Sequence, residues 1–139
     1  MEEVDRNECV QYIVVRKDLI EQMGIGKTAA QVAHASLGAI LENMPNFVSG
    51  EIELIKSPWV QMWLQGRFTK LVVYVKSKEK LLNFKKKLDE DKIRTKLIYD
   101  RCLTALEPEE NDGTTLTCMG VVPIKRENVP KYLKKLQLL

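Results

Sequence analysis

Cysteine and histidine are scarce in this sequence, and their scarcity excludes two kinds of protein. The 139 residues include 3 cysteines and 1 histidine. Cys9, Cys102 and Cys118 are odd in number and widely spaced, and none belongs to a CxxC pair, so we expect reduced thiols rather than a disulfide framework. Because His34 is the one histidine and no cysteines cluster, a closed zinc site lacks ligands, and we expect no metal.

Long apolar runs are also missing. The longest, such as residues 71–75, fall far short of the roughly 18 to 20 residues that span a bilayer. Residues 1–8 are acidic and polar, with no basic region followed by an apolar stretch, so we expect a flexible tail rather than a secretory signal. The sequence therefore predicts a cytoplasmic protein with no membrane segment and no membrane partner.

Charge of one sign is not in large excess either. The chain has 22 Lys and Arg against 19 Asp and Glu, a net charge of +3, which is milder than in a dedicated nucleic-acid coat. The lysines nevertheless gather within residues 76–87 and 125–135. Each cluster is either a solvated helix face or a surface that contacts phosphates, and the sequence leaves both interpretations open.

The remaining composition is typical of one globular domain, since 45% of residues are hydrophobic and 29% are charged, and we assign residues 1–139 to that domain. Apolar and β-branched runs predict strands at residues 9–16, 70–75, 95–99 and 115–122. Helical periodicity predicts helices at residues 27–44, 78–90 and 129–136, with a short helix after Pro58. This alternation predicts a three-layer α/β/α fold, in which helices cover both faces of a mixed sheet of about four strands.

Residues 24–28, Gly-Ile-Gly-Lys-Thr, resemble the end of a phosphate-binding P-loop. That motif requires a glycine five residues before Gly26, where this chain has Glu21, whose carboxylate would repel a phosphate. A nucleotide hydrolase is therefore disfavoured. The glycines still allow a tight turn, and free amides at a helix N-terminus attract anions, so we expect Gly24 and Gly26 to contribute to substrate binding.

A polar stripe follows on the first predicted helix. Lys27, Gln31 and His34 recur at i, i+4 and i+7. The stripe lies opposite the expected apolar face, which comprises Ala30, Ala33, Leu37, Ile40, Leu41 and Met44. We expect Gln31 and His34 to contact substrate; the alternatives are a solvated face and, for His34, a hydrogen-bonded structural group.

A second polar group lies at the ends of two predicted strands. Asp100 follows the third strand, Thr104 comes four residues later, and Thr117 lies on the fourth strand. Each is ordinary alone, because an acid that leaves a strand often caps a turn and threonine is common in strands. Together, a carboxylate and two hydroxyls are able to bind and orient a water molecule.

Two segments, residues 11–19 (QYIVVRKDL) and 23–35 (MGIGKTAAQVAHA), resemble the opening strand and helix of the archaeal/eukaryotic-type, or type II, peptidyl-tRNA hydrolases. The resemblance covers the chain from about Val10 onward and is weakest over residues 46–62. Its other matching positions are Gln65, Gly66, residues 70–73, Asp100, Thr104, Gly113, Thr115, Thr117 and Gly120. Residues 106–108 and 117–118 are similar to a divergent branch, the peptidyl-tRNA hydrolase domain-containing proteins.

This resemblance implies an enzyme that hydrolyses the ester between a peptide and tRNA. It implies that Lys27, Asp100, Thr104 and Thr117 are catalytic and that Gln31 supports them. It also implies peptidyl-tRNA as the RNA substrate, no DNA partner and no cofactor. Whether the chain forms a homodimer stays open.

The chain departs from the family pattern at three positions. Ile25 stands where the family usually has a second lysine, and Cys102 and Leu103 stand where it has a glycine and an arginine. The alternative interpretation is therefore a non-catalytic module that keeps the fold and binds RNA or a protein.

Overall fold

The structure, a computed structural model, describes residues 8–41 and 54–139. The strands are β1 (Cys9–Arg16), β2 (Lys70–Val75), β3 (Thr95–Asp100), β4 (Thr115–Val121) and β5 (Ile124–Lys125). The helices are α1 (Ile20–Gly38), α2 (Pro58–Gln65), α3 (Lys78–Glu90) and α4 (Lys131–Lys134). Short 3-10 helices span Lys17–Leu19 and Arg126–Asn128.

The sheet is mixed and has the strand order β2-β1-β4-β3. β1 runs parallel to β2, and β4 runs antiparallel to both β1 and β3. The last residues of β1, β2 and β3 (Arg16, Val75 and Asp100) therefore lie at the same end of the sheet as Thr115, the first residue of β4. We call this the carboxyl end of the sheet. β5 pairs with the first residues of β1 and so lies at the opposite end.

Helices cover both faces of the sheet, which confirms the predicted α/β class. On one face, Ile13 and Val15 of β1 pack with Ala35 of α1. The opposite face shares one buried cluster with the other helices, through Val14 of β1, Trp63 of α2, Leu81 and Leu88 of α3, and Leu133 of α4. Because successive side chains of a strand point to opposite faces, the near-continuous apolar sequence of β1 fills both layers.

Helix α1 approaches the sheet unusually closely at Gly120 on β4. A Cβ atom at Gly120 would lie 2.0 Å from the carbonyl oxygen of Ala35. Two buried hydrogen bonds fix the same approach, since Gln11 Nε2 donates to the Ser36 carbonyl oxygen (3.0 Å) and Ser36 Oγ donates to Gln11 Oε1 (2.5 Å). The absence of a side chain at Gly120 therefore sets the spacing between α1 and the sheet.

The prediction of which residues form the buried face of the first helix is wrong in part. Ile40 is buried as expected, but Ala33 is exposed and the Leu37 side chain is 54% exposed. The residues that α1 turns toward the sheet include Ala35 and the polar Gln31. Close packing selects small side chains at the contact, and a polar side chain is tolerated there because it is hydrogen-bonded.

Several predicted boundaries also differ from the structure. The helix predicted for residues 27–44 ends at Gly38, and residues 42–44 lie outside the described residues. The last helix is shorter than predicted, and the two-residue strand β5 was not predicted because so short a run carries no periodicity. Within residues 8–41 and 54–139, no helix combines the length and hydrophobicity that a bilayer crossing requires.

Substitution Gly120→Ala tests the close approach of α1. Because the added methyl group would overlap a backbone carbonyl that cannot rotate away, we expect it to lower the free energy of unfolding by about 1–3 kcal/mol. Gly26→Ala is the matched control, since no atom lies within 4 Å of the corresponding Cβ position, and alanine favours a helix by up to about 1 kcal/mol. Urea unfolding measures both, and equal stabilities would contradict the packing described here.

Candidate active site

A break in helix α1 places Lys27 at the start of a helical segment. Gly24 has a φ of 75° and a ψ of 172°, which interrupts the helical backbone. Such a positive φ suits glycine, because it lacks a Cβ atom. The Gly24 carbonyl oxygen accepts a hydrogen bond from Thr28 Oγ1 at 2.7 Å, which holds the turn in place. Lys27 and Gly26 therefore lie in the first turn after the break, where backbone amides carry a partial positive charge.

Lys27, Asp100 and Thr104 are in direct contact. Lys27 Nζ donates a hydrogen bond to Thr104 Oγ1 at 2.6 Å and lies 3.1 Å from Asp100 Oδ2. The side chains of Lys27 and Asp100 are 18% and 14% exposed, so their ion pair is largely shielded from water yet reachable from it. Three of the four residues predicted to be catalytic thus form one cluster at the carboxyl end of the sheet.

A tight turn after β3 orients the Asp100 carboxylate. The backbone N–H of Cys102 donates to Asp100 Oδ2 at 2.9 Å. Cys102 adopts a φ of 59°, in the left-handed region that non-glycine residues seldom occupy. Its thiol lies 3.3 Å from Thr115 Oγ1, and the Thr115 hydroxyl in turn donates to the Glu107 carbonyl oxygen at 2.7 Å. The turn is therefore tied to the first residue of β4.

Thr117, the fourth predicted catalytic residue, contacts Gln31 rather than the ion pair. Its Oγ1 lies 2.6 Å from Gln31 Oε1 and 3.2 Å from the Ile98 carbonyl oxygen. Both side chains are buried, at 0% and 7% exposure. Because Gln31 follows Lys27 by about one helical turn, this pair joins β4 to α1 directly behind the cluster.

His34 lies apart from these residues. It is exposed, and its Nδ1 atom lies 3.2 Å from the Ala30 carbonyl oxygen of its own helix. The three polar residues of α1 therefore do not share one environment, because Gln31 is buried, Lys27 is half-buried and His34 faces solvent.

Arg16 was not identified from the sequence, although it organises the neighbourhood of the site. This buried side chain at the end of β1 forms ion pairs with Asp18 and, 93 residues away, with Glu109. Burial alone would lower the pKa of the guanidinium, but hydrogen bonds and attraction to the two carboxylates outweigh burial and raise the pKa above its usual value. A partner so distant along the chain leaves no local sequence signal.

A small apolar cluster holds the loop after β3 against the segment that precedes Lys27. Leu106 of the loop is buried with Leu19 and Met23, and Cys102 packs against them. Thr104 and Lys27, which lie on the two sides of this contact, are therefore brought together by packing as well as by charge.

The site offers no evident group of metal ligands. Among the described residues, no three His, Cys, Asp or Glu side chains are grouped so that they could hold a metal ion. Cys118 of β4 is buried on the face of the sheet that packs against α1. Burial raises the pKa of its thiol to about 12. Its Sγ contacts the backbone oxygen of Gln31 at 3.3 Å, so it serves packing between α1 and β4.

Comparison with known proteins agrees with this geometry. A family model described as Peptidyl-tRNA hydrolase PTH2 matches residues 9–139. The chain belongs to this family. The match includes every residue of the site described above, and it confirms the resemblance found from residues 11–19 and 23–35 of the sequence.

Individual relatives cover nearly all of the chain. The proteins named peptidyl-tRNA hydrolase in Methanococcus maripaludis and Methanopyrus kandleri are each 36% identical over 129 residues, which amount to 93% of this chain and 97% of each relative. The protein of the same name in Sulfurisphaera tokodaii is 37% identical over 127 residues, or 91% of this chain and 95% of the relative.

Proposed function

We propose that this member of the PTH2 family hydrolyses the ester between the carboxyl carbon of a peptide and the terminal ribose of tRNA. The observation that carries the proposal is the contact of one ammonium group, Lys27 Nζ, with both Asp100 and Thr104. This pairing supplies a base and a cation next to each other, and ester hydrolysis uses both.

Asp100 acts in this proposal as the general base. The contacts described for its carboxylate, from Lys27 Nζ and from the Cys102 N–H, are both made by Oδ2. Oδ1 is then the oxygen that accepts a hydrogen bond from water and takes its proton as the water oxygen bonds to the ester carbon. The same proton passes to the ribose oxygen when the carbon–oxygen bond breaks, so that one water is consumed.

Lys27 stabilises the negative charge that develops on the ester oxygens, with the backbone amides near Gly24 and Gly26 in support. Thr104 orients the ammonium group through its 2.6 Å hydrogen bond. Gln31 and Thr117 do not contact the ester in this proposal; their buried hydrogen bond holds the turn of α1 that follows Lys27 against β4. His34, exposed two turns beyond Lys27, would contact the tRNA rather than the reacting ester.

The two lysine clusters, within residues 76–87 and 125–135, differ in where they lie relative to the proposed catalytic residues. Lys76 and Lys80 follow β2 at the carboxyl end of the sheet, where Asp100 also lies, and both are exposed. Lys131 and Lys134 are exposed on α4, whose buried residue Leu133 packs on the face of the sheet opposite α1, the helix that carries Lys27. We therefore propose that the first cluster contacts the tRNA phosphates and that the second is a solvated face.

We also propose that residues 1–139 form a single domain and that the protein works in the cytoplasm, where peptidyl-tRNA arises during translation.

The alternative function is a module that binds RNA or a protein without catalysis. The departures from the family pattern at Ile25, Cys102 and Leu103 favour this alternative. A turnover assay separates the two functions.

We expect the purified protein to cleave N-acetylated aminoacyl-tRNA and to spare the same aminoacyl-tRNA with a free amino group, because the acylated form resembles a peptide. The reaction should be unaffected by a chelator such as EDTA, since the proposed chemistry uses groups of the protein chain and no metal ion. Release of radiolabelled N-acetyl amino acid measures both. Binding of tRNA without any release would support the non-catalytic module instead.

Removing phosphate-binding lysines should weaken tRNA binding and flatten its salt dependence. For the double variant Lys76→Gln and Lys80→Gln we expect the log–log slope of affinity against salt to fall by about 0.7–0.9 for each phosphate that a lysine no longer neutralises. The matched control is Lys131→Gln with Lys134→Gln, which removes equal charge from α4 and should leave the slope nearly unchanged. Filter binding between about 50 and 200 mM salt measures both variants, and equal effects would contradict the assignment.

A further inference from the structure

Arg16 uses its entire hydrogen-bonding capacity at the carboxyl end of the sheet. A guanidinium group has five N–H donors in a fixed planar arrangement. The side chain of Arg16 is 3% exposed and makes five hydrogen bonds, two to Asp18 (3.2 and 2.6 Å), two to Glu109 (2.5 and 3.3 Å) and one to the Leu116 carbonyl oxygen (3.0 Å). So many directed bonds fix the relative positions of three chain segments.

Each of these three segments is connected, through the chain or through direct contacts, to residues of the proposed catalytic site. Asp18 immediately precedes Leu19, which packs in the small cluster at the start of α1, the helix that carries Lys27. Leu116 lies between Thr115 and Thr117 on β4.

The third segment reaches Asp100 through a chain of contacts. The Glu109 N–H donates to Thr115 Oγ1 at 2.9 Å, and Thr115 Oγ1 lies 3.3 Å from Cys102 Sγ. The N–H of Cys102 in turn holds the Asp100 carboxylate at 2.9 Å. Glu109 therefore lies in the same loop, residues 101–114, whose first residues form the Asp100 turn.

We propose that Arg16, through its ion pair with Glu109, is a positioning residue that sets the distance between Lys27 on α1 and Asp100 with Thr104 on the loop after β3. The inference rests on the proposed function, because it concerns the geometry of that reaction. Arg16 touches neither the ester nor the water. It acts by holding the two halves of the site in the arrangement where one ammonium group contacts both Asp100 and Thr104.

The neighbouring residue, Glu110, offers a matched control. Glu109 and Glu110 are adjacent in the same loop, their side chains are 38% and 31% exposed, and each forms an ion pair. Glu109 pairs with Arg16, whereas Glu110 pairs with Lys78 at the start of α3, in the layer on the opposite face of the sheet from α1. The substitutions Glu109→Gln and Glu110→Gln remove the same charge, but only the first weakens the bonds of Arg16.

The experiment measures kcat and KM for N-acetyl-aminoacyl-tRNA, with thermal melts, for the wild type and the two variants. Glutamine presents one oxygen and one NH2 group, so Glu109→Gln replaces one accepting atom by a donor that faces the guanidinium. A shift of the catalytic groups by about 1 Å is able to cost up to about 100-fold in rate. We expect Glu109→Gln to lower kcat by about tenfold or more with KM changed less than about twofold, and Glu110→Gln to stay within about twofold in both.

The conservative variant Arg16→Lys gives a second measurement. It keeps one positive charge but has three donors in place of a five-donor planar fork, so it cannot hold all three segments. We expect kcat to fall at temperatures at which the protein remains folded. Equal kcat values for Glu109→Gln and Glu110→Gln, a change in KM alone, or a rate loss that matches the fraction unfolded would each overturn the positioning role and leave the proposed function standing. If the wild type hydrolyses no ester, the proposed function fails, and this inference fails with it.

Discussion

The close approach of α1 to the sheet is the constraint on which the site depends. Gly120 leaves room for the backbone of α1 at Ala35, and the hydrogen bonds between Gln11 and Ser36 prevent the helix from rotating or sliding. Once the helix is fixed in this way, its periodicity determines which residues face β4. Gln31 then meets Thr117, and Lys27, about one turn earlier, lies where the loop after β3 leaves the sheet.

The position of the Lys27 ammonium group is unfavourable for the stability of the fold but suits the proposed hydrolysis. Lys27 lies in the first turn after the break at Gly24, where the helix dipole repels a cation, and its side chain is only 18% exposed. Asp100 and Thr104 offset this cost by pairing with the ammonium group. A cation that is held in an unfavourable place by a specific carboxylate is a feature typical of functional sites.

Local patterns were sufficient to predict much of the fold. The bounds of β1, β2 and α3 agree with the sequence prediction because their hydrophobic patterns lie within single segments. The buried face of α1 could not be predicted from its own residues, since it depends on Gly120, far along the chain. Arg16 was missed for a similar reason, because its partner Glu109 lies 93 residues away. The sequence indicated Lys27 and Asp100 as members of two separate polar groups, and the family resemblance alone suggested that they act together.

The central claim, that Lys27 and Asp100 form one catalytic unit, is tested most directly by a double-mutant cycle in single-turnover hydrolysis of N-acetyl-aminoacyl-tRNA. We expect Lys27→Ala to lower the rate by about 100- to 1,000-fold and Asp100→Asn by about 100- to 10,000-fold, with thermal melts showing that both remain folded. Because groups that act on one step are not additive, the double variant should lose far less than the product of the two single losses. Near-normal rates in either single variant, or fully multiplicative losses in the double variant, would contradict the account.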